Sequence, residues 1–385
     1  MANVLTSLAA DIYKAADTVG REAVGFIPSV TINGDSSERV AKGGIVRAAF
    51  TRAATAGDLT PSMTTPEGTD QTVDNKTLTI SKMRGVQIPW TGEDIKHVNN
   101  GAGFSSIYGD QIAQAMRTLA NEIETDLGVA AYQGASRAFG TAGTTPFGTN
   151  FNDVASLRQI LLDNGCAMDI GNLSLVMNSS AGTKLRQLAT LTGVNTSGTD
   201  ATLRRGELLN LQSFSLRESA GVATHTAGTA TGFDANGGEP VGEETLVVDG
   251  SDSGTILIGD TVTWAGDTNK YVIQSATASG AATGNIVISE PGMREALATT
   301  VEGTLGAAYT ANVGFHRSAI ELAIRAPAVP EGGDTAVDAM MVQDPTSGLI
   351  FEIRVYKGYR KTMIEVAAAW GVKAWKSQNI AILLG

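Results

Sequence analysis

Cysteine is almost missing from this chain. Cys166 is the single one in 385 residues, so no intrachain disulfide can form. That fits a protein made and assembled in a reducing compartment. Aromatic residues make up only 5% of the chain, which leaves few large anchors for a core or a ligand platform. Basic residues are also short: 28 Lys and Arg face 39 Asp and Glu, for a net charge of −11. Affinity for free nucleic acid comes from neutralising phosphates, so this balance argues against that class of binder. The same charge would let the chain line a DNA-filled container without sticking to the contents. No run approaches the ~20 apolar residues of a membrane span. Met1 to Val19 carries Asp11 and Asp17 inside a helical pattern, without a basic start and apolar core, so no secretory signal is expected.

The usual chemical signatures are absent too. His97, His225 and His316 stand far apart, none has a metalloprotease partner, and no cysteine pair exists for zinc. They are expected to be surface or capping histidines. No phosphate-cradling Gly-x-x-x-x-Gly-Lys and no Gly-x-Ser-x-Gly occurs. The glycine-rich stretch 140–148 follows a helix rather than a strand, so it reads as a linker and not a dinucleotide fingerprint. Asp249-Gly-Ser-Asp-Ser-Gly254 lacks the third acid and the distal Glu of a calcium loop, and reads as a turn. Cys166 has no base beside it in sequence and reads as a small buried hydrophobe. No catalytic residue, metal or cofactor is expected, and the chain is read as a non-enzyme.

What the chain does contain is glycine, 45 residues of it, with 42% hydrophobic and 17% charged content, which is enough for two or three real cores. Val4, Leu8, Ile12, Ala15 and Val19 predict a short amphipathic helix, followed by an irregular stretch to Gly44. Residues 47–76 are polar and long for a loop. Leu78, Ile80, Lys82, Arg84, Val86, Ile88 and Trp90 then alternate on one strand face, whose mid-strand charges argue against full burial. Together these predict an extended two-stranded finger. Thr91 to His97 reads as a short helix capped by Thr91, with Glu93 and Asp94 at its positive end.

From Ser105 to about Tyr132, apolar residues recur at Tyr108, Ile112, Met116, Leu119, Ile123, Leu127 and Ala130, with polar residues between them. At 1.5 Å per residue that is one helix roughly 40 Å long. Residues 151–220 alternate helix and strand signals: a helical face at Val154, Leu157, Ile160 and Leu161, a buried strand Leu173 to Met177, and a helix holding Leu185 to Leu188.

Past residue 220 the pattern changes to short strands and turns: Thr245–Val248, Thr255–Ile258, Thr261–Trp264, Tyr271–Ile273 and Asn285–Ile288, as in a small barrel or sandwich. Residues 218–300 hold eleven Asp and Glu against Lys270 and Arg294, a net of −9, which leaves the rest near neutral at −2. This reads as an acidic all-β insertion with its own core. Leu349 to Val355, Thr362–Trp370 and Ile380–Leu384 predict a C-terminal meander that pairs with the strand near residue 80 or covers the long helix. The glycines near 43–44, 101–103 and 140–148 are candidate hinges.

That order of parts resembles the tailed-phage major capsid proteins of the Hong Kong 97-like fold. The closer likeness is to coat proteins of the Salmonella phage P-twenty-two type. It is carried by the start Met1-Ala-Asn-Val-Leu-Thr, by Gly292-Met-Arg-Glu-Ala, by Gly314-Phe-His-Arg-Ser-Ala-Ile-Glu-Leu-Ala and by Leu349-Ile-Phe-Glu-Ile-Arg-Val-Tyr-Lys-Gly-Tyr. The resemblance implies an α+β fold with an inserted β-barrel. Residues 1–44 would be an N-terminal arm, 45–90 an E-loop with its return strand, and 91–150 a P domain with a spine helix at 105–133. Residues 151–220 would be an A domain, 221–300 the inserted domain, and 301–385 the rest of the A domain with C-terminal P-domain strands.

The function implied is that of a coat protein building pentamers and hexamers of an icosahedral shell. Its partners would be itself, a scaffolding protein, a portal protein at one vertex, packaged double-stranded DNA held non-specifically, and in some shells a decoration protein, with no membrane. Its location would be the virion, with assembly in the host cytoplasm. An encapsulin-like compartment shell is the first alternative, and a β-rich binding module the second. Residues 47–75 contain no lysine, so non-covalent locking is expected rather than E-loop cross-links. Candidate subunit contacts are Arg47, Arg52 and Lys76. Asp11 and Asp17 are candidate scaffold contacts. The insertion is either a folding core or an intercapsomer contact through Phe233–Glu244.

Overall fold

A computed structural model describes residues 24–51, 58, 61–64, 73–99, 104–148, 150–188, 210–250, 254–278, 283–344 and 347–385. The expected helix at 4–19 lies outside them. In chain order the first elements are β1 (Thr31–Val40), β2 (Ile45–Thr51), β3 (Val73–Thr79), β4 (Lys82–Thr91), α1 (Gly92–Asn99) and α2 (Phe104–Gln133). Next come β5 (Arg137–Phe139), α3 (Asn152–Asp163), β6 (Leu173–Met177), α4 (Ser179–Gln187), β7 (Asn210–Leu211), β8 (Phe214–Glu218) and β9 (Thr224–His225). The barrel strands are β10 (Phe233–Ala235), β11 (Thr245–Gly250), β12 (Thr261–Trp264), β13 (Lys270–Ala276), β14 (Gly284–Ile288) and β15 (Glu302–Leu305). The chain ends with β16 (Tyr309–His316), β17 (Ile320–Pro327), β18 (Ala336–Gln343), β19 (Ile350–Gly358), β20 (Lys361–Ala374) and β21 (Ile380–Leu384).

A six-stranded sheet runs β1-β17-β20-β19-β18, with β4 on the other edge of β20. The fourteen residues of β20 give it two partners on one edge, β19 along 361–367 and then β17 along 369–374. A second sheet runs β5-β21-β16-β6-β8-β7, with β5 and β21 parallel and β6 and β8 parallel. The ring β12-β15-β10-β11-β14-β13, closed by β12–β13 pairing, is a six-stranded barrel. Closure removes the free edges that short, glycine-flanked strands would otherwise expose. Its core of Phe233, Leu246, Val262, Trp264, Tyr271, Ile273, Ile286 and Ile288 is separate from the other cores.

The helix α2 joins these parts. Ile112, Met116, Leu119, Ile123, Leu127 and Ala131 are buried along it and pack against residues of both large sheets. Trp90 Nε1, near the end of β4, donates to Gln111 Oε1 at 2.9 Å. Lys82, at the start of β4, bonds Glu122 at 3.2 Å and Asp126 at 2.7 Å, so strand and helix run antiparallel. Arg84 Nε meets Glu122 at 3.1 Å, and Trp370 Nε1 meets Asp126 at 2.8 Å. The charges in the first part of β4 therefore answer carboxylates on the helix. The capping of α1 is reciprocal: the Asp94 amide donates to Thr91 Oγ1, and the Thr91 amide and hydroxyl donate to Asp94 Oδ2.

Several expectations need correction. Residues 31–40 form β1, a strand that pairs in parallel with β17 from Thr31↔Glu321 to Val40↔Pro327, with a register shift between Gly34 and Arg39. The single strand expected over 78–90 is two strands in two sheets, broken at Ile80-Ser81. Residues 255–258 are not a strand: Thr255 O accepts from Thr229 and Ala230, and 257–260 turns into β12. The barrel includes Phe233–Ala235, which sequence missed, and closes with Glu302–Leu305, past the expected boundary at 300. The glycines at 43–44 and 140–148 are not free hinges. Gly43 N bonds Ile80 O, Gly143 N bonds Gly385 O, and Phe147 is buried with its amide on Asp153 at 2.6 Å. Residues 101–103 lie outside the described residues.

Glu124 was expected among the polar residues between the apolar stripe, yet it is 2% exposed. Its Oε1 accepts from the amides of Gly25 and Phe26 at 2.5 and 2.7 Å and from Ser219 Oγ at 2.5 Å, and its Oε2 accepts from the Ile27 amide at 2.9 Å. Removing the carboxylate orphans four buried donors. Glu124→Ala is expected to lower the unfolding free energy by about 3 kcal/mol and Glu124→Gln by about 1 kcal/mol, read as midpoints of urea unfolding.

Candidate assembly surfaces

An antiparallel ribbon of two seven-residue strands forms a sheet of its own. The β2–β3 ladder runs from Ile45↔Thr79 to Thr51↔Val73, and its outer edges carry no strand partner among the described residues. Ile45, 59% exposed, and Arg47 are surface positions, and Met63 between the strands is fully exposed. Unpaired ribbon edges and apolar tips are features a soluble monomer normally covers.

The ribbon's base, by contrast, is fixed. Ile80 N bonds Gly44 O at 2.9 Å and Gly44 N bonds Ala41 O at 2.9 Å. Leu78 and Ile80 are buried with Val40, Ala323 and Ala369 in a small core of their own. Gly371 lets β20 press against that base, since a Cβ there would lie 2.2 Å from Thr79 O and 2.9 Å from Leu78 Cδ2. Lys373 Nζ adds a bond to Thr77 O at 3.2 Å.

Of the residues singled out from sequence, Arg47 is exposed on β2, opposite Thr77. Lys76 occupies the next ladder position, opposite Ala48, so the fold brings these two to adjacent steps of one ribbon. Arg52, Asp11 and Asp17 lie outside the described residues. Phe233–Glu244 starts as barrel strand β10, and its exposed tip carries Val241 and Gly242. Glu244 has its carboxyl pushed upward by burial, then by Glu290 and Glu243.

Cys166 is buried, and desolvation pushes its thiol to about 11, so it stays protonated and inert near neutral pH. His316 caps the turn after β16, its Nδ1 accepting from the Ser318 amide at 3.2 Å. His225 corrects the surface expectation: it is 5% exposed and bonded to Asp260. Nothing in the local sequence signals that pairing, because the partners stand 35 residues apart on the near and far sides of two barrel strands. Among the described residues no group of three His, Cys, Asp or Glu converges to hold a metal, and no helix is long and apolar enough to cross a membrane.

No family model and no curated protein matches this chain. Solved structures do match. A chain from Mycobacterium phage Che8 superposes with a TM-score of 0.51 at 13% identity, covering 95% of this chain and 93% of that one. A chain from the capsid structure of the cyanophage P-SCSP1u gives 0.50 at 11% identity, covering 95% and 89%.

The packing at Gly371 makes the ribbon's seat testable. Gly371→Ala is expected to cost about 1–3 kcal/mol, because backbone rather than a flexible side chain must move. Cleavage within 45–79 by a nonspecific protease should quicken while cleavage of the barrel stays unchanged. Equal cleavage rates would mean that the ribbon is not seated on β20. The long helix, the six-stranded sheet with its projecting ribbon, the α/β sheet and the barrel together make the fold α+β and Hong Kong 97-like, the fold of phage capsid proteins.

Proposed function

We propose that this chain is a major capsid protein that builds the icosahedral shell of a tailed phage from copies of itself, in pentamers and hexamers, around double-stranded DNA. The observation that carries this reading is the match to a phage capsid chain over 95% of the length, at fold level. The exposed ribbon supports it, because its edges and its apolar residues need a neighbour. On this reading the division into arm, E-loop, P domain, A domain and insertion follows the boundaries given above, with the insertion running on to Leu305. The barrel favours the P-twenty-two type within the fold. The role is structural rather than catalytic, and the location is the virion.

Arg47, Arg52 and Lys76 would meet acidic surface on an adjacent copy. Asp11 and Asp17 would meet a basic end of a scaffolding protein. A portal protein at one vertex and, in some shells, a decoration protein would complete the partners. A net charge of −11 suits a wall that must not bind its contents tightly.

Expression of the full chain with and without a scaffolding protein, followed by electron microscopy and light scattering, tests this. Closed shells, tubes or spirals are expected. A monomer under both conditions would overturn the proposal. In the same assay, Arg47→Glu with Arg52→Glu should cut shell yield at least tenfold without moving the unfolding midpoint. Asp11→Lys with Asp17→Lys should cut scaffold uptake. Unchanged yield or uptake would remove the corresponding contact.

A further inference from the structure

The barrel meets the rest of the molecule at two places. One is a seam along β13, where Lys270 pairs with Ala138 and Tyr271 with Arg137 of β5, the Val272 amide donates to Ser136 O at 3.2 Å with its side chain buried in the main core, and Gln274 Nε2 meets Ser377 Oγ at 3.0 Å. Arg137 braces it through Asn269 at 2.8 Å and Asn164 at 2.9 Å. The other is the neck, where the chain enters the barrel past β9 and leaves it into β16, with Tyr309 paired to His225.

The neck grips a single barrel turn, residues 257–260. Asp260 is 1% exposed and takes three donors: His225 Nε2 at 2.8 Å and Gly228 N at 2.9 Å from the incoming chain, and Leu257 N at 2.6 Å from its own turn. Tyr309 Oη, from the outgoing strand, donates to Gly259 O at 2.7 Å. Tyr132, on the last turn of α2, lies with its ring 5.5 Å from that of His225 and 6.4 Å from that of Tyr309. Gly259 has φ +92°, and a Cβ there would sit 2.5 Å from the Tyr132 ring, so only glycine lets the turn fit between these rings. Apolar burial does not hold the turn, since Leu257 and Ile258 are 42% and 50% exposed. Polar bonds hold it instead: those on the Asp260 carboxylate and from Tyr309 on the neck side, and Gly259 N to Ile273 O at 2.8 Å and Ile273 N to Asp260 O at 2.9 Å on the barrel side.

We propose that His225 and Asp260 form a latch between the barrel and the body. Breaking it frees the neck while the barrel stays folded and attached along the β13 seam. The barrel's separate core makes the two events separable. The seam along β13, with Val272 in the main core, keeps the barrel attached when the neck opens. This inference does not depend on the shell reading.

Hydrogen exchange followed by mass spectrometry on the full-length chain tests it. His225→Ala and Asp260→Asn should speed exchange in the segments 224–230 and 255–260 at least tenfold, with 284–288 and 311–315 unchanged. His225→Gln keeps an N–H donor and should stay within about threefold of the parent. Tyr309→Phe should loosen 255–260 alone. Loss of protection through the barrel strands as well would make the cluster part of the barrel's core and overturn the latch. Unchanged exchange at the neck would overturn it too, as would equal loosening in His225→Gln and His225→Ala.

Discussion

One buried carboxylate organises the meeting point of three distant parts of the chain. Glu124 sits in the second half of α2, and three consecutive amides, Gly25 to Ile27, point at it together with the Ser219 hydroxyl. A lone buried anion would be far too costly to keep, but a carboxylate with four donors is a stable anchor. The chain entering β1 is thereby tied to the helix, and so is the chain leaving β8 for the barrel. Phe26 and Ile27 join the main core beside Ile123 and Leu127 as a result. Without this anchor, the edge of the six-stranded sheet and the approach to the barrel would have no fixed origin on the helix.

The anchor was illegible in the sequence for a physical reason. A glutamate between apolar positions has the periodicity of a solvated helix face, and only the arrival of backbone from residues 25–27 and 219 changes its role. The same holds for Gln111, Glu122 and Asp126, which look outward by spacing and yet serve Trp90, Lys82, Arg84 and Trp370. Periodic features were readable. The long helix was expected at 105–133 and runs Phe104–Gln133, and Thr261–Trp264, Leu173–Met177 and Ile380–Leu384 match their strands residue for residue. What failed was non-local: β1 is too polar and glycine-bearing to announce itself, and its strandedness comes from β17. The 78–90 strand has one continuous alternation, but Leu78 and Ile80 serve the ribbon's seat while Val86 and Ile88 face the main core.

For the surfaces, sequence pointed to a two-stranded finger but not to the strands that build it or the way it is held. The seat depends on Gly371, a residue without a side chain whose value lies in what it allows to approach. The ribbon is therefore a rigidly based extension with exposed edges. That combination suits recognition by a neighbour better than a floppy tether would, because little orientational freedom is lost on contact. His225 shows the same limit: a lone histidine in a glycine- and threonine-rich stretch gives no sign of Asp260.

The register of the six-stranded sheet also has a consequence for the order in which the chain can become structured. Thr31 pairs with Glu321 and Lys82 with Trp370, so β1 has no sheet to join until β17 exists, and β4 none until β20 exists. Every pairing that closes the barrel falls between Phe233 and Leu305. Contacts that close short loops form early, and those that close long ones wait. During synthesis the barrel strands can pair while β1 and β4 still present open edges; β17 then takes up β1, and β20 later takes up β4. The strand Lys361–Ala374 thus carries a kinetic burden. A ribosome that stalls before Lys361 leaves a folded barrel on a body whose main sheet has adhesive margins.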